Sequence, residues 1–359
     1  MSARVARLRA WLQAQELAAV LVTKRENIFY LSGFRGTAGM LILTPERNLL
    51  VSDFRYELQS AAQAPAWEFV LAEETIPQTV RSVLAGIGGR VGFAPAELSV
   101  VLWQELGGYD TGLPYGLVAA PDGVETLRLR KEPEELDRIR TAVQVTDAAY
   151  AHILPRIVPG VSERDLALEV EWHMRQHGAE AAAFDVIAAT GAHSALPHAT
   201  PGDRRLQPGD LLVLDFGARV AGYNADLTRT VAVAEATPTA QTIYRICWEA
   251  QQVGLQGAQP GGTGRDLDAV VRASITAAGY GAYFGHGTGH GVGVEVHEAP
   301  RLNRLSDQVL AAGMTVTIEP GIYLPGIGGV RIEDLICLTD TGCEVLSTAA
   351  KPAELPVVG

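Results

Sequence analysis

Three of the chain's eight histidines fall within His286-Gly-Thr-Gly-His290-Gly-Val-Gly-Val-Glu-Val-His297-Glu-Ala-Pro-Arg301, a run whose glycines let backbone approach an ion or ligand closely. Ordinary core packing does not call for that combination. Two acidic pairs accompany it, Asp215 with Asp226 upstream and Glu319 with Glu333 downstream. Four carboxylates and the imidazole of His290 suit two divalent cations, because four negative charges balance four positive ones. Without metal, some of the carboxyls have to hold protons. Oxygen-rich ligation with no thiolate favours manganese, cobalt, iron or zinc over copper, and the histidine disfavours magnesium. Two such ions about 3.5–4 Å apart can hold a water as hydroxide at neutral pH and polarise a carbonyl beside it. The chemistry to expect is hydrolysis at a two-metal centre.

An internal duplication places the acidic residues. Pro159-Gly-Val-Ser162-Glu-Arg-Asp-Leu166 is echoed by Pro260-Gly-Gly-Thr263-Gly-Arg-Asp-Leu267. Each sets Ser or Thr at a helix N-cap with Asp three residues on, and each helix then runs to a glycine, Gly178 or Gly279. Leu206-Gln-Pro-Gly-Asp-Leu-Leu-Val-Leu-Asp215 is matched by Leu310-Ala-Ala-Gly-Met-Thr-Val-Thr-Ile-Glu319, and Gly222-Tyr-Asn-Ala-Asp226 by Gly329-Val-Arg-Ile-Glu333. A turn followed by an apolar run that ends in a carboxylate puts that carboxylate at a strand end. The second carboxylate of each half then lies across a hairpin, turned by Gly217 to Gly222 in one case and by the longer Pro320 to Gly329 in the other. A pseudo-twofold between the halves brings four carboxylates together, with His290 as the asymmetric fifth group. Taken singly, Asp215, Asp226 and Glu319 read equally well as turn or strand-end residues. Their repetition in both halves gives the set its weight.

The rest of the 359-residue chain divides into two parts, since its length exceeds what one hydrophobic core usually serves. Residues 1–125 read as a small α/β domain, with a helical face of Leu8, Trp11 and Leu12 and short strands at 19–22, 40–43, 49–51 and 68–71. Asp53 and Arg55 follow a strand and read as a surface ion pair. Residues 126–134 form a charged linker, and Pro133 suits the first turn of a helix whose apolar stripe is Leu136, Ile139, Val143, Tyr150 and Ile153. That helix opens the second domain, 135–359. His173 and His177 stand four apart on a predicted helix but lack the glutamate of a zinc motif, so they read as surface residues. Three cysteines without paired spacing point to reduced thiols, and no stretch has the form of a signal peptide or a membrane span, so a cytoplasmic protein is expected. A net charge of -12 argues against nucleic acid as a partner.

At these residues the chain resembles the pita-bread metallopeptidases, in particular their proline-specific branch of Xaa-Pro dipeptidases (prolidases) and aminopeptidase P. Asn27-Ile-Phe-Tyr-Leu-Ser-Gly-Phe34 and Asp53-Phe-Arg-Tyr56 look like the creatinase-type N-terminal domain. Asp215-Phe-Gly, Asp226-Leu-Thr-Arg-Thr230, the 286–301 segment, Glu319-Pro-Gly-Ile-Tyr323 and Gly329-Val-Arg-Ile-Glu333-Asp look like the catalytic signatures. The resemblance implies an α+β fold, with a pseudo-twofold duplicated pita-bread catalytic domain behind a smaller creatinase-like α/β domain. It implies two divalent ions per subunit, manganese ahead of cobalt or zinc. Asp215 would chelate one ion, His290 and Glu319 the other, and Asp226 and Glu333 both. Glu319 would also take a proton from the attacking water, His297 would hydrogen-bond the scissile carbonyl or the tetrahedral intermediate, and His198 would face it across the site.

On the substrate side, His286 and Arg331 match positions characteristic of the proline-specific branch, and Arg301 would grip the free carboxylate of a C-terminal proline. The activity implied is hydrolysis of the bond before that proline by a metal-bridging hydroxide. An aminopeptidase P acting on longer Xaa-Pro peptides is the alternative, and a metal-free hydrolase or a non-catalytic pita-bread binding module the distant one. The expected partners are a small Xaa-Pro peptide and, by family analogy, a second copy of the chain in a homodimer, with neither nucleic acid nor membrane.

Overall fold

Short β-branched and leucine-rich runs near the N-terminus pair into one sheet, because each has too little surface to bury alone. The computed structural model describes residues 3–121 and 123–359, which divide into two compact units on either side of the Arg128–Leu129 bond. The first unit has strands β1 (Ala19–Val22), β2 (Met40–Leu43), β3 (Asn48–Ser52), β4 (Glu68–Leu71), β5 (Gly89–Phe93) and β6 (Tyr115–Ala119) in the order β4-β3-β2-β1-β5-β6. Its helices are α1 (Ala3–Ala14), α2 (Arg25–Ser32), α3 (Glu57–Gln63), α4 (Ile76–Ile87), α5 (Val100–Glu105) and α6 (Glu125–Arg128). Leu21, Ile42, Val51, Val80, Leu84 and Val91 build its core. Asp53 and Arg55 form a two-pronged pair, 2.8 Å on each side, in which Arg55 is exposed. Strands β5 and β6 escape a reading by period, since Gly89-Arg-Val-Gly-Phe93 offers glycine at two of five places and no alternation.

The second unit opens with α7 (Pro133–Ile153), which has Pro133 in its first turn, and buries Ile139, Val143, Tyr150 and Ile153 as its stripe requires. It continues through α8 (Glu163–Gln176), β7 (Ala181–Ala182), β8 (Ile187–Thr190), β9 (Leu211–Phe216), β10 (Ala218–Val220), β11 (Tyr223–Asn224) and β12 (Leu227–Val233). Then come α9 (Pro238–Gly257), α10 (Gly264–Ala277), β13 (Gly289–Gly291), β14 (Glu298–Leu302), β15 (Thr315–Ile318), β16 (Gly321–Leu324), β17 (Gly328–Arg331), β18 (Asp334–Leu338), β19 (Cys343–Val345) and β20 (Val357–Val358). The two large sheets run β20-β12-β9-β8 and β14-β13-β15-β18-β19.

The repeats fold alike down to single hydrogen bonds. Ser162 caps α8 by accepting from Asp165 N, and Thr263 caps α10 by accepting from Asp266 N. Each cap also bridges the segment ahead of the strand that leads to its half's first carboxylate, Ser162 to Arg205 before β9 and Thr263 to Val309 before β15. Gly160 N donates to Leu206 O as Gly261 N donates to Leu310 O. The helices end at Gly178 and Gly279, both with positive φ, where a side chain would strain the turn. Leu166, Leu206, Leu212 and Leu214 fill one core, and their counterparts Leu267, Leu310, Val316 and Ile318 fill the other.

Two features go beyond what the spacing predicts. Between the carboxylates of each half the chain makes a two-stranded arm rather than a bare turn, β10–β11 in the first half and β16–β17 in the second. The runs beyond each glycine are long enough to pair. His173 near the end of α8 stacks on His152 of α7 at a centroid distance of 3.8 Å, and His177, the residue after the helix, stacks on His173 at 3.9 Å. Because the two caps are equivalent, Ser162→Ala and Thr263→Ala should each cost about 1 kcal/mol, read as a lower urea midpoint for unfolding.

Candidate metal centre

Strand parity decides which side chains face the cavity. Leu212, Leu214 and Phe216 of β9 point into a helix-covered core, so Asp215 points to the other face. Val316 and Ile318 do the same in β15, which sends Thr317 and, one step past the strand, Glu319 to the cavity side. β12 pairs antiparallel with β9, Thr228 opposite Asp215, and β18 pairs with β15, Asp334 opposite Ile318. Asp226 and Glu333, one residue ahead of β12 and β18, therefore arrive beside Asp215 and Glu319. The third component is β13, whose His290 lies between β14 and β15.

All ten side chains singled out from the sequence line one cavity of about 240 Å³: Asp215, Asp226, Glu319, Glu333, His198, His286, His290, His297, Arg301 and Arg331. Phe184 and Ile187 supply an apolar wall. Among the described residues, Asp226, His290 and Glu333 each bring a ligand atom to within 4.8 Å of the others. His290 Nε2 also lies 3.3 Å from Glu319 Oε1 and 3.5 Å from Asp226 Oδ2. His290 Nδ1 is 3.2 Å from Gly291 O, which can only accept, so Nδ1 carries the proton and the bare Nε2 faces the carboxyls. Asp215 stands at the other side of the cluster. Its Oδ2 accepts from Arg331 Nη2 at 2.5 Å, while its buried Oδ1 has no partner among the described residues.

Burial and crowding set the charges. Burial first, then Glu333, Asp215 and Glu319, hold the Asp226 carboxyl well above its ordinary range. Burial and the charges of Glu319 and Asp215 raise Glu333 likewise, and burial lifts Glu319 to about 7. Burial lowers His290 to about 3 and His286 to about 4, and also lowers His297, so these imidazoles are neutral near pH 7. A lone pair on His290, an orphaned oxygen on Asp215 and crowded, buried carboxyls that resist ionisation make a donor set suited to a cation. Hard oxygen donors with one imidazole nitrogen fit divalent ions of the manganese, cobalt and zinc type.

Several residues that position the site, gathered around Arg331, have no role assigned from the sequence. Arg331, 4% exposed, donates to Asp215, to Tyr323 Oη at 2.7 Å, to Thr228 Oγ1 at 3.0 Å and to Pro197 O at 3.2 Å. Thr228 in turn donates to Glu333 Oε2 at 2.7 Å. Since His286 Nδ1 donates to Gly287 O, its Nε2 accepts from Tyr323 Oη at 2.9 Å, closing a relay from Arg331 through Tyr323 to His286. On the other side Asp268 accepts from both the backbone and hydroxyl of Thr288 and pairs with Arg272, which donates to Phe284 O and His286 O. Thr317 Oγ1 accepts from His290 N. A buried threonine or an Asp–Arg pair at helix spacing looks ordinary in a sequence, so the only advance signal was proximity to a ligand in the chain.

With this geometry in hand, the resemblance to known proteins is direct. The family model described as metallopeptidase family M24 matches residues 137–340, and the creatinase/prolidase N-terminal domain matches residues 4–130. The chain belongs to metallopeptidase family M24. Its fold is the α+β pita-bread architecture preceded by a creatinase-type domain, and it is a metal-dependent peptidase. The solved Xaa-Pro dipeptidase of Bacillus anthracis is 41% identical, covers 99% of each chain and superimposes with a TM-score of 0.94. The Xaa-Pro dipeptidase of Pyrococcus horikoshii is 36% identical over 97% of both chains. The solved X-Pro aminopeptidase of Thermotoga maritima is 32% identical over 99% of both, with a TM-score of 0.90. No helix of the described M24 chain is long and apolar enough to cross a membrane.

The protonation states give the sign of a measurable linkage. In the metal-free protein at pH 6, Asp226, Glu333 and Glu319 hold protons that ligation must displace, whereas His290 has none to lose. Manganese binding at pH 6 should release protons, and affinity should rise as the pH climbs through about 7. Titration calorimetry in two buffers of different ionisation enthalpy reads this directly; equal heats in both would show that the carboxyls were already ionised.

Proposed function

We propose that this peptidase is a dinuclear Xaa-Pro dipeptidase, hydrolysing the bond before a C-terminal proline. The observation that carries the reading is Arg301, which sits on β14 opposite His290 of β13 in the strand register and lines the cavity. Among the described residues its side chain has no hydrogen-bond or ion-pair partner. A free guanidinium beside a metal cluster suits the carboxylate of a two-residue substrate, which it can hold with paired hydrogen bonds. The dipeptidases of B. anthracis and P. horikoshii support the same substrate class.

In this reading Asp215, Asp226, His290, Glu319 and Glu333 hold two divalent ions, with manganese ahead of cobalt or zinc. Such ions supply Lewis acidity and bring the pKa of water toward neutrality. The protein's groups do the remaining work. Glu319, whose carboxyl titrates near neutrality when no metal is present, accepts the proton of the attacking water and returns it to the leaving proline nitrogen. His297, kept neutral by burial and by Arg301, donates a hydrogen bond to the carbonyl oxygen as negative charge grows there. His198 closes the cavity opposite it. Arg331 fixes Asp215 directly and Glu333 through Thr228, and its relay through Tyr323 presents the ring of His286 to the substrate. Phe184 and Ile187 offer the apolar wall that a prolyl peptide needs.

The likeness to the T. maritima X-Pro aminopeptidase favours a second reading, release of the first residue from longer Xaa-Pro peptides. A homodimer in the cytoplasm, with no nucleic-acid or membrane partner, completes the proposal. The two substrate readings separate in one experiment on the manganese-loaded enzyme, with a Xaa-Pro dipeptide beside a Xaa-Pro-Xaa tripeptide. The dipeptide should be preferred, and Arg301→Ala should raise its KM by about 10- to 100-fold, the worth of a charge-assisted contact. The same change should leave the tripeptide within about threefold. Preference for the tripeptide would select the aminopeptidase instead.

A further inference from the structure

The segment that carries His297 and Arg301 is an irregular part of the cavity wall. It leaves β13 through a bulge between His290 and Gly291, loops through Gly293 and Glu295, and returns as β14. Along β14 burial alternates: Glu298, Pro300 and Leu302 point inward, Ala299 and Arg301 outward, and His297 ahead of the strand shares the outward face. A slip of one residue would exchange the faces and carry both functional side chains into the core. Neither side chain has a hydrogen bond to the protein, among the described residues, that would resist the slip. Something on the inward face has to.

That face holds a buried ion pair. Lys131 Nζ donates to Glu298 Oε1 at 2.7 Å, with the two side chains 1% and 6% exposed. Lys131 is fixed in turn, since its backbone N donates to Gly313 O at 2.8 Å and it stands two residues before α7, where Glu135 Oε2 caps Glu132 N. The other oxygen of Glu298 accepts from Glu295 N at 3.3 Å, and its carboxylate lies so close to Gly293 that a Cβ there would meet Oε1 at 2.5 Å. Asn224, two residues before Asp226, holds the same loop by donating to Gly293 O and Val294 O. A buried pair of this kind adds little net stability, but moving one partner strands a charge out of water, so it strongly opposes any alternative register.

We propose that Lys131 and Glu298 are positioning residues, a register lock that keeps His297 and Arg301 together on the cavity face. The inference rests on the reading of those two as substrate contacts, but the lock itself is a property of the strand. Lys131→Met removes the charge and keeps the stem. In the metal-loaded full chain, hydrogen exchange over 292–302 should then quicken about tenfold or more while 227–233 in β12 is unchanged. Lys131→Arg should restore the slow exchange. In the Lys131→Met background, Arg301→Ala should lose most of its effect on dipeptide KM, falling below about threefold, because a misplaced guanidinium has little left to lose.

A general loss of stability would instead quicken exchange everywhere and leave the Arg301 effect intact. Glu298→Gln, which keeps an acceptor for Lys131, is the second variant should Lys131→Met unfold, and should give the same segment-restricted change at smaller size. Unchanged exchange over 292–302, or equal quickening of 227–233 in both variants, overturns the lock. Were the enzyme inactive on every Xaa-Pro peptide, the substrate reading would fall and the exchange data would still decide the lock.

Discussion

Four carboxyl groups packed into one buried cavity cannot all be ionised unless positive charge arrives with them. The fold supplies Arg331, buried against Asp215, and Arg301 on the cavity lining, and leaves the rest to be met by protons or metal. Much else in the second unit follows from that demand. Arg331 is buried and spends its donors on Asp215, Thr228, Tyr323 and Pro197 O, so a single guanidinium balances charge and fixes geometry on both halves of the cluster. Behind Glu333, Asp334 is buried between Arg229 and Lys351 and is bonded by Gln251, which ties the C-terminal segment to the base of the site.

Duplication is how the sheet architecture meets the demand economically. One strand pair ending in carboxylates, built twice, places Asp215 and Asp226 against Glu319 and Glu333 with equivalent caps, equivalent bridges and equivalent aliphatic core positions beneath. The symmetry stops at β13. There the second half inserts the glycine-rich run that brings His290 to the carboxylates and His297 and Arg301 to the rim, turning a symmetric acidic cluster into a site with a direction for a peptide.

The carboxylates, the histidines and the repeat were legible in the sequence because each repeats at fixed spacing or concentrates rare residue types. The helix at 133–153 was legible from its stripe and Pro133, and the first four strands from dense apolar runs. β5 was not, since glycine stands where alternation would show. Neither Tyr323, Thr228, Asp268 nor Lys131 could be singled out for a role, because their importance lies in partners up to 167 positions away, such as Arg331 for Tyr323 and Glu298 for Lys131. The two-stranded arms were read as turns for a related reason: pairings of only two and four residues leave no clear periodic trace.

The central claim is that the buried carboxyls exist to hold two divalent ions. Anomalous diffraction at the manganese edge, from crystals of the manganese-loaded protein, tests it most directly. The account requires two peaks per chain about 3.5–4 Å apart, with Asp226 and Glu333 contacting both, His290 and Glu319 contacting one and Asp215 the other. A cluster with no peak, or with a single peak that leaves Asp215 paired only to Arg331, would contradict it.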